Sequence, residues 1–258
     1  MTVWDVKTGT VAATVAQHGD GGHVALSPCG RLVAVSARNK PDVRVYEVAT
    51  GGLRFHFKHK AEITSLAFAP NGRSLAAASL EAPVYLWDIH DWPGEPPAWD
   101  GKAVWDDLAS ADAATAFAAV RRVRYNPTKA VAFLRDATRL PAAPTAARWR
   151  ELVAELGTKD YKTREAATVS LAEFGETIRP ELDAAMAAAA NPEALRRLKV
   201  LRAKLDIRTA DGVRLLRAVE AVEGLDPADG TPLLTAWASG LHGDRLATEA
   251  KAALARQE

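Results

Sequence analysis

The sequence predicts an α+β chain whose two classes occupy separate segments. Residues 1–90 read as antiparallel β and residues 103–258 as an all-α helical-repeat array. Three observations carry this. An aromatic–acidic pair recurs as Trp4-Asp5, Tyr46-Glu47 and Trp87-Asp88, with the aromatic positions 42 and then 41 residues apart. A Pro/Gly-rich stretch, Asp91-Trp92-Pro93-Gly94-Glu95-Pro96-Pro97, then interrupts both ladder and helix, so 91–102 reads as a linker. Beyond it the apolar period becomes helical, at i, i+3, i+4 and i+7.

The β segment repeats in its turns as well as in its aromatics. One pass runs Val24-Ala25-Leu26, then Ser27-Pro28-Cys29-Gly30, then Leu32-Val33-Ala34-Val35. The second runs Ile63 to Phe68, then Ala69-Pro70-Asn71-Gly72, then Leu75 to Ala78. Pro28 and Pro70, Gly30 and Gly72, and Thr8-Gly9 and Thr50-Gly51 are each separated by 42 positions. Proline presets φ for a turn and glycine supplies the positive φ that follows.

A turn, a strand, a short turn and a closing Leu86-Trp87-Asp88, all on one period, resemble the WD-repeat family over residues 1–90. The resemblance implies about two blade-equivalents of a β-propeller, each blade a four-stranded antiparallel sheet. It implies structural roles: Trp4, Tyr46 and Trp87 in the core between blades, and Asp5, Glu47 and Asp88 at strand ends. Three copies are too few to close a ring. The chain also departs from the family. Where an Asp-Gly turn is usual, it has Asn39-Lys40-Pro41-Asp42 and Glu81-Ala82-Pro83, and only His18 and His59 echo the opening Gly-His. The family's buried hydrogen-bond network is therefore not carried over.

The helices follow in order. Trp149, Leu152, Val153 and Leu156 form a stripe stopped by Gly157, and Ala167, Leu171 and Phe174 one stopped by Gly175. Asn191-Pro192 supplies an N-cap and first helical residue ahead of Ala194, Leu198, Leu201 and Leu205. Asp211 precedes Leu215, Leu216, Val219 and Val222; Thr231-Pro232 opens a helix through Trp237; Asp244 caps the last one. Short helices with short turns suggest stacked antiparallel pairs. Tyr161 to Gly175, through Arg164-Glu165-Ala166-Ala167 and Phe174-Gly175, resembles the first helix of a HEAT-type repeat. The order as a whole, with helices beginning near Trp105-Asp106-Asp107-Leu108-Ala109, resembles large bacterial WD-repeat proteins with a helical extension.

Composition excludes several function classes. With 33 basic and 32 acidic residues the net charge is +1, which gives no general pull towards nucleic acid or anionic membrane. The single cysteine, Cys29, cannot form an internal disulfide and suits a reducing compartment. No run approaches the roughly 18 apolar residues of a spanning helix, and Met1-Thr2-Val3-Trp4-Asp5 lacks the opening of a signal peptide. There is no phosphate-binding glycine loop, nucleophile elbow or metalloprotease helix motif.

The remaining candidates have plain structural readings. His56 and His59 have metal-pair spacing, but residues i and i+3 on a strand face opposite ways and no nearby Asp or Cys completes a set. Arg121, Arg122 and Arg124, and Arg196, Arg197, Lys199, Arg202 and Lys204, form basic clusters; the second lies opposite the Leu198–Leu201–Leu205 stripe, where a solvated face is charged anyway. Asp106-Asp107 has a helix-dipole explanation. Trp149, Tyr161 and Trp237 read as core anchors. No catalytic, cofactor or metal residue is singled out. The expected function is a cytoplasmic, non-catalytic scaffold for other proteins, not for nucleic acid or membrane. The alternatives are the C-terminal part of a larger signalling or regulatory protein with its catalytic or DNA-reading domain upstream, and a HEAT-like lyase or nucleic-acid-binding module.

Overall fold

The computed structural model describes residues 1–258 apart from 7, 16–21, 39, 82, 83, 92, 93, 96, 97, 206–208 and 258. His18, Asn39, Ala82-Pro83 and part of the expected linker therefore lie outside the described residues. The chain is antiparallel β followed by α, as expected, and divides into two compact units, Met1–Asn126 and Pro127–Glu258. The first unit runs past the linker and takes in two helices.

Among the described residues, nine strands form three antiparallel sheets in that unit. β1 (Thr2–Asp5) pairs with β2 (Thr10–Thr14). β3 (Val24–Leu26), β4 (Leu32–Ser36), β5 (Asp42–Glu47) and β6 (Leu53–Lys58) form a four-stranded sheet in chain order. β7 (Ile63–Phe68), β8 (Ser74–Ser79) and β9 (Tyr85–Asp88) form a three-stranded one. The period-2 alternation of the strands sorts their side chains into two cores. Leu32, Ala34, Val43 and Val45 join Ile63, Leu66, Leu75, Ala77 and Ile89, with Trp87 packed against them. On the opposite face Val33, Val35 and Tyr46 join Val15, with Met1 and Val3 at the margin. The central sheet is thus buried on both faces, which is why every residue of β4 is inaccessible.

The sequence period is visible as repeated hydrogen bonds. Gly30 and Gly72 donate to Ser27 and Ala69 at 2.8 Å, and Gly9 and Gly51 donate to Asp5 and Glu47 at 2.8 Å. All four glycines have φ between 67° and 72°. At Gly51 a Cβ would also come within 2.5 Å of the Thr14 carbonyl, so only glycine fits. A bulge recurs too. Val3 and Trp4 face Ala13 and Val11, and Val45 and Tyr46 face Phe55 and Leu53, so β2 and β6 each carry one extra residue, Ala12 and Arg54.

After β9, α1 (Gly101–Leu108) and α2 (Ala113–Tyr125) complete the unit. The first helix starts at Gly101, ahead of Trp105, because Asp100 accepts the Ala103 N–H as N-cap. Asp112 caps α2 in the same way.

The second unit is helical: α3 (Pro127–Ala137), α4 (Ala146–Glu155), α5 (Tyr161–Glu173), a 3-10 turn at Gly175–Ile178, α6 (Arg179–Ala188), α7 (Pro192–Lys204), α8 (Ala210–Glu223), α9 (Pro227–Ala238) and α10 (Asp244–Ala255). Asn191 caps α7 as expected, accepting from Glu193 and Ala194 at 2.9 and 3.1 Å. The stripes of α4, α5 and α7 meet in one core that includes Leu152, Leu156, Leu171, Leu198 and Leu201. Two expected starts are corrected. α9 begins at Pro227 behind an Asp226 cap, leaving Pro232 inside the helix at the cost of one backbone hydrogen bond. For α10 the cap is Gly243, and Asp244 is the first helical residue.

Candidate interaction surface

The three acids of the repeat each end a strand, yet each is used differently. Asp5 accepts the Thr8 N–H at 3.2 Å and closes the β1–β2 turn. Glu47 is buried; it pairs with buried Arg54 and accepts the Thr50 hydroxyl. The bulge turns Arg54 inward to reach it. Asp88 takes Arg73 Nε at 2.7 Å and the His90 and Asp91 N–H groups at 2.9 and 3.2 Å. Partial burial raises the Asp88 pKa, but the Arg73 hydrogen bond, the backbone donors and the guanidinium charge outweigh it. The carboxyl ends below its usual range. β6 follows Glu47 and returns along β5, whereas among the described residues no strand after Asp88 returns along β9.

That departing segment is tied to α2. Arg121 donates to the Asp91 carbonyl at 2.8 Å, Arg124 donates to His90 Nδ1, and the Tyr125 hydroxyl lies 3.2 Å from Asp91 Oδ1. Phe117, only 1% exposed, joins α2 to β6: its ring meets Phe55 edge-on at 5.1 Å, under the Arg54 guanidinium at 4.7 Å. Phe55 stacks on Phe57 at 5.5 Å, and Phe57 on Trp87 at 4.5 Å. This aromatic ladder runs from α2 through the edge of the second sheet into the third. The sequence offered only one hint of it, the Phe55-x-Phe57 alternation.

The three repeat aromatics differ in burial. Tyr46 is buried against the first sheet and Trp87 is half-buried against the second, while Trp4 is 59% exposed. Tyr46 and Trp87 each pack towards the sheet before their own in chain order, and among the described residues no sheet precedes that of Trp4. Other apolar side chains on the unit face solvent: Val24 and Leu26 on β3 and Leu86 on β9, the last 68% exposed. Among the described residues β9 has one strand partner, β8, so its second edge is unpaired.

The other candidates are engaged locally. His56 Nε2 lies 2.7 Å from Asp42 Oδ2 across the strand pair, so an aspartate does neighbour it; the sequence missed this because the contact is cross-strand. His59 Nδ1 accepts the Ala61 N–H, and its ring meets Tyr85 edge-on at 4.0 Å. No cluster of three or more metal-ligating side chains occurs among the described residues. Cys29 occupies the Pro28–Gly30 turn, 3.4 Å from Ser27 Oγ. Arg122 pairs with Asp107, Lys102 with Asp106, and Arg196, Arg197 and Arg202 with Glu193, Glu165 and Asp183. Trp237 is a core anchor, donating to Thr138 Oγ1 at 2.9 Å, and Trp149 packs on the α4–α7 core. Tyr161 is not one: as first residue of α5 it is 62% exposed, with Arg164 lying over its ring. A cavity of about 320 Å³ in the helical unit has leucines as its commonest lining residue, with Glu176, Lys204 and Asp211 at its wall; Glu176 is paired with Arg179. Among the described residues no helix is long and apolar enough to cross a membrane.

No family model matches the chain. Transducin beta-like protein 2 of Homo sapiens is 34% identical over 95 residues, 33% of this chain and 21% of that protein. Periodic tryptophan protein 2 of Arabidopsis thaliana is 32% identical over 88 residues, 33% of this chain and 10% of that protein. The chain thus spans about a fifth and a tenth of these two relatives. Both are WD-repeat proteins, so the chain is similar to WD-repeat proteins over a share equal in extent to its β segment. These relatives are eukaryotic. The solved β-propeller domain of Myceliophteria thermophila Cps50 (Swd1) is 24% identical, with a TM-score of 0.31, covering 35% of this chain and 29% of that one.

Proposed function

We propose that this protein is a non-catalytic scaffold that binds other proteins, with its β unit as the contact surface and its helical unit as a HEAT-like array. The observation that carries the reading is apolar exposure on an otherwise well-packed β unit: Trp4, Val24, Leu26 and Leu86 face solvent, on a strand of each of its three sheets. Similarity to WD-repeat proteins supports it, since such blades present binding rims. The arginine clusters favour protein over nucleic acid as partner, because they are largely spent on internal acids. A reducing, cytoplasmic setting suits the single free thiol. The test is site-specific photo-crosslinking in cells, with the probe at Leu26, at Leu86 and, as control, at Lys199. Discrete protein adducts from the two β-unit positions are expected. Adducts to RNA, or identical patterns from all three positions, would refute the scaffold reading.

A second reading makes these residues the C-terminal part of a larger regulatory protein with its catalytic or DNA-reading domain upstream. The solvent-facing Trp4 favours it, because the equivalent Tyr46 is buried by a neighbouring sheet. The size of the native product in its own cell decides: one of 258 residues rules this reading out.

A further inference from the structure

We propose that Asn71 is a self-modifying site, which the turn around it converts to aspartate and isoaspartate without an enzyme. The site stands apart from the scaffold reading, since it needs no partner. The chain has four asparagines, Asn39, Asn71, Asn126 and Asn191, and the residues that follow them are Lys40, Gly72, Pro127 and Pro192. Cyclisation of an asparagine needs a main-chain N–H on the following residue, so the two prolines exclude it. Lys40 sets a long side chain against the closing ring, whereas Gly72 has none.

The turn supplies the geometry. It joins β7 to β8, with the Gly72 N–H donating to the Ala69 carbonyl and the Ala69 N–H to the Ser74 carbonyl, both at 2.8 Å. Asn71 is exposed, and a Cβ built on Gly72 would meet nothing nearer than Pro28 Cδ at 4.0 Å. Water therefore reaches both the amide and the ring that forms from it. The Asn71 side chain folds back over its own main chain, with Oδ1 accepting the Arg73 N–H at 2.9 Å. That bond holds the amide against the Gly72 peptide and aims a donor at the oxygen on which negative charge develops during attack. Gly30 closes the equivalent turn with the same 2.8 Å bond to Ser27, but Cys29 stands at the asparagine position and has no amide to lose.

The reaction consumes only water. Once the Gly72 N–H leaves the Ala69 carbonyl, hydroxide removes its proton and the nitrogen bonds to Asn71 Cγ. The Cγ–Nδ2 bond then breaks, and Nδ2 leaves as ammonia by taking a proton from water, which regenerates the hydroxide. Water next opens the cyclic imide. Opening at Cγ gives aspartate on an unchanged main chain. Opening at the α-carbonyl gives isoaspartate, whose main chain runs through the side-chain carbons and adds one atom to the turn. Either product places a carboxylate two residues from Arg73, whose guanidinium holds Asp88.

The full chain is held at mildly alkaline pH beside Asn71→Gln and Gly72→Ala, and its tryptic peptide 61–73 is followed by chromatography and mass. Expected are the mass gain of an amide-to-acid exchange in that peptide, isoaspartate in excess of aspartate, and a rate that rises with pH. Asn71→Gln, which needs a larger ring, should stay unconverted, and Gly72→Ala should slow conversion about tenfold or more. If the φ of 68° makes Gly72→Ala misfold in circular dichroism, Asn71→Gln carries the comparison, because it leaves the turn backbone untouched. The free peptide 61–73 is the reference for the turn, and the folded chain should react within about tenfold of its rate. A larger lag in the folded chain overturns the proposal, since the Gly72–Ala69 hydrogen bond then protects the site. So does aspartate without isoaspartate, the mark of direct hydrolysis, or a mass gain in peptide 61–73 that persists in Asn71→Gln.

Discussion

Replacing Phe117 by alanine tests whether α2 belongs to the β unit energetically as well as by contact. The ring is 1% exposed and is held by Phe55, by the guanidinium of Arg54 at 4.7 Å and by that of Arg121 at 5.4 Å. Truncating a buried phenylalanine costs about 3–5 kcal/mol, and the edge-on aromatic pair makes up about 0.5–1.5 kcal/mol of that. A domain has about 5–15 kcal/mol in all, so the loss is a large share. At a urea dependence of about 2 kcal/mol per molar, the unfolding midpoint should fall by roughly 1.5–2.5 M. Hydrogen exchange at residues 53–58 during the titration reads this unit without interference from the helical one. A double-mutant cycle with Phe55→Ala should return a coupling of about 0.5–1.5 kcal/mol. If the cost is under about 1 kcal/mol, or only residues 101–125 loosen while β6 stays protected, the helix is a passenger and the ladder of rings holds nothing together.

Residues 1–90 alone should aggregate or fold poorly, because Phe55 and Arg54 lose their cover, whereas 1–126 should melt cooperatively; a monomeric, cooperative 1–90 in calorimetry would defeat this. Leu201→Ala, in the α4–α7 core at 3% exposure, should cost about 2–5 kcal/mol in urea unfolding, and a near-zero change would mean its face is misassigned. Hydrogen bonds from Arg196 and Arg197 hold the Glu193 carboxyl at about 2 instead of its ordinary 4.5. A lowered folded pKa stabilises fully above the unfolded value and is lost as pH falls through the folded one. The melting temperature of the helical unit should therefore drop between about pH 4.5 and 2, and less steeply in Glu193→Gln; parallel curves would refute the assignment.

Much of this architecture is legible in the sequence because the informative signals are local. The turn glycines, the Asn191-Pro192 cap and the 42-residue period all act over a few residues or repeat in register. What escaped depends on distant partners. Phe117 meets Phe55 across more than sixty positions, so no periodicity brings α2 into the first unit. Pro232 looked like a helix start because proline favours first turns, but Asp226-Pro227 offered the same signal earlier with a better cap. Of the interaction surface, the positions of Glu47 and Asp88 were readable as strand ends. Their opposite roles were not, since these depend on Arg54 and Arg73 reaching them across the sheet. Trp4 was grouped with Tyr46 by its sequence position, although burial depends on the neighbouring sheet.

The paired bulges at Ala12 and Arg54 bear on how such repeats diverge. Alanine and arginine share no chemistry, yet both are the surplus residue opposite the same step of the neighbouring strand. What the two copies preserve there is a count of residues, not an identity. Deleting Arg54 would exchange the faces of the strand segment beyond it, whereas replacing it would leave the register intact. Length is thus the quantity the two copies share, while the side chain differs: at Arg54 it is committed to buried Glu47, and at Ala12 it is a methyl group.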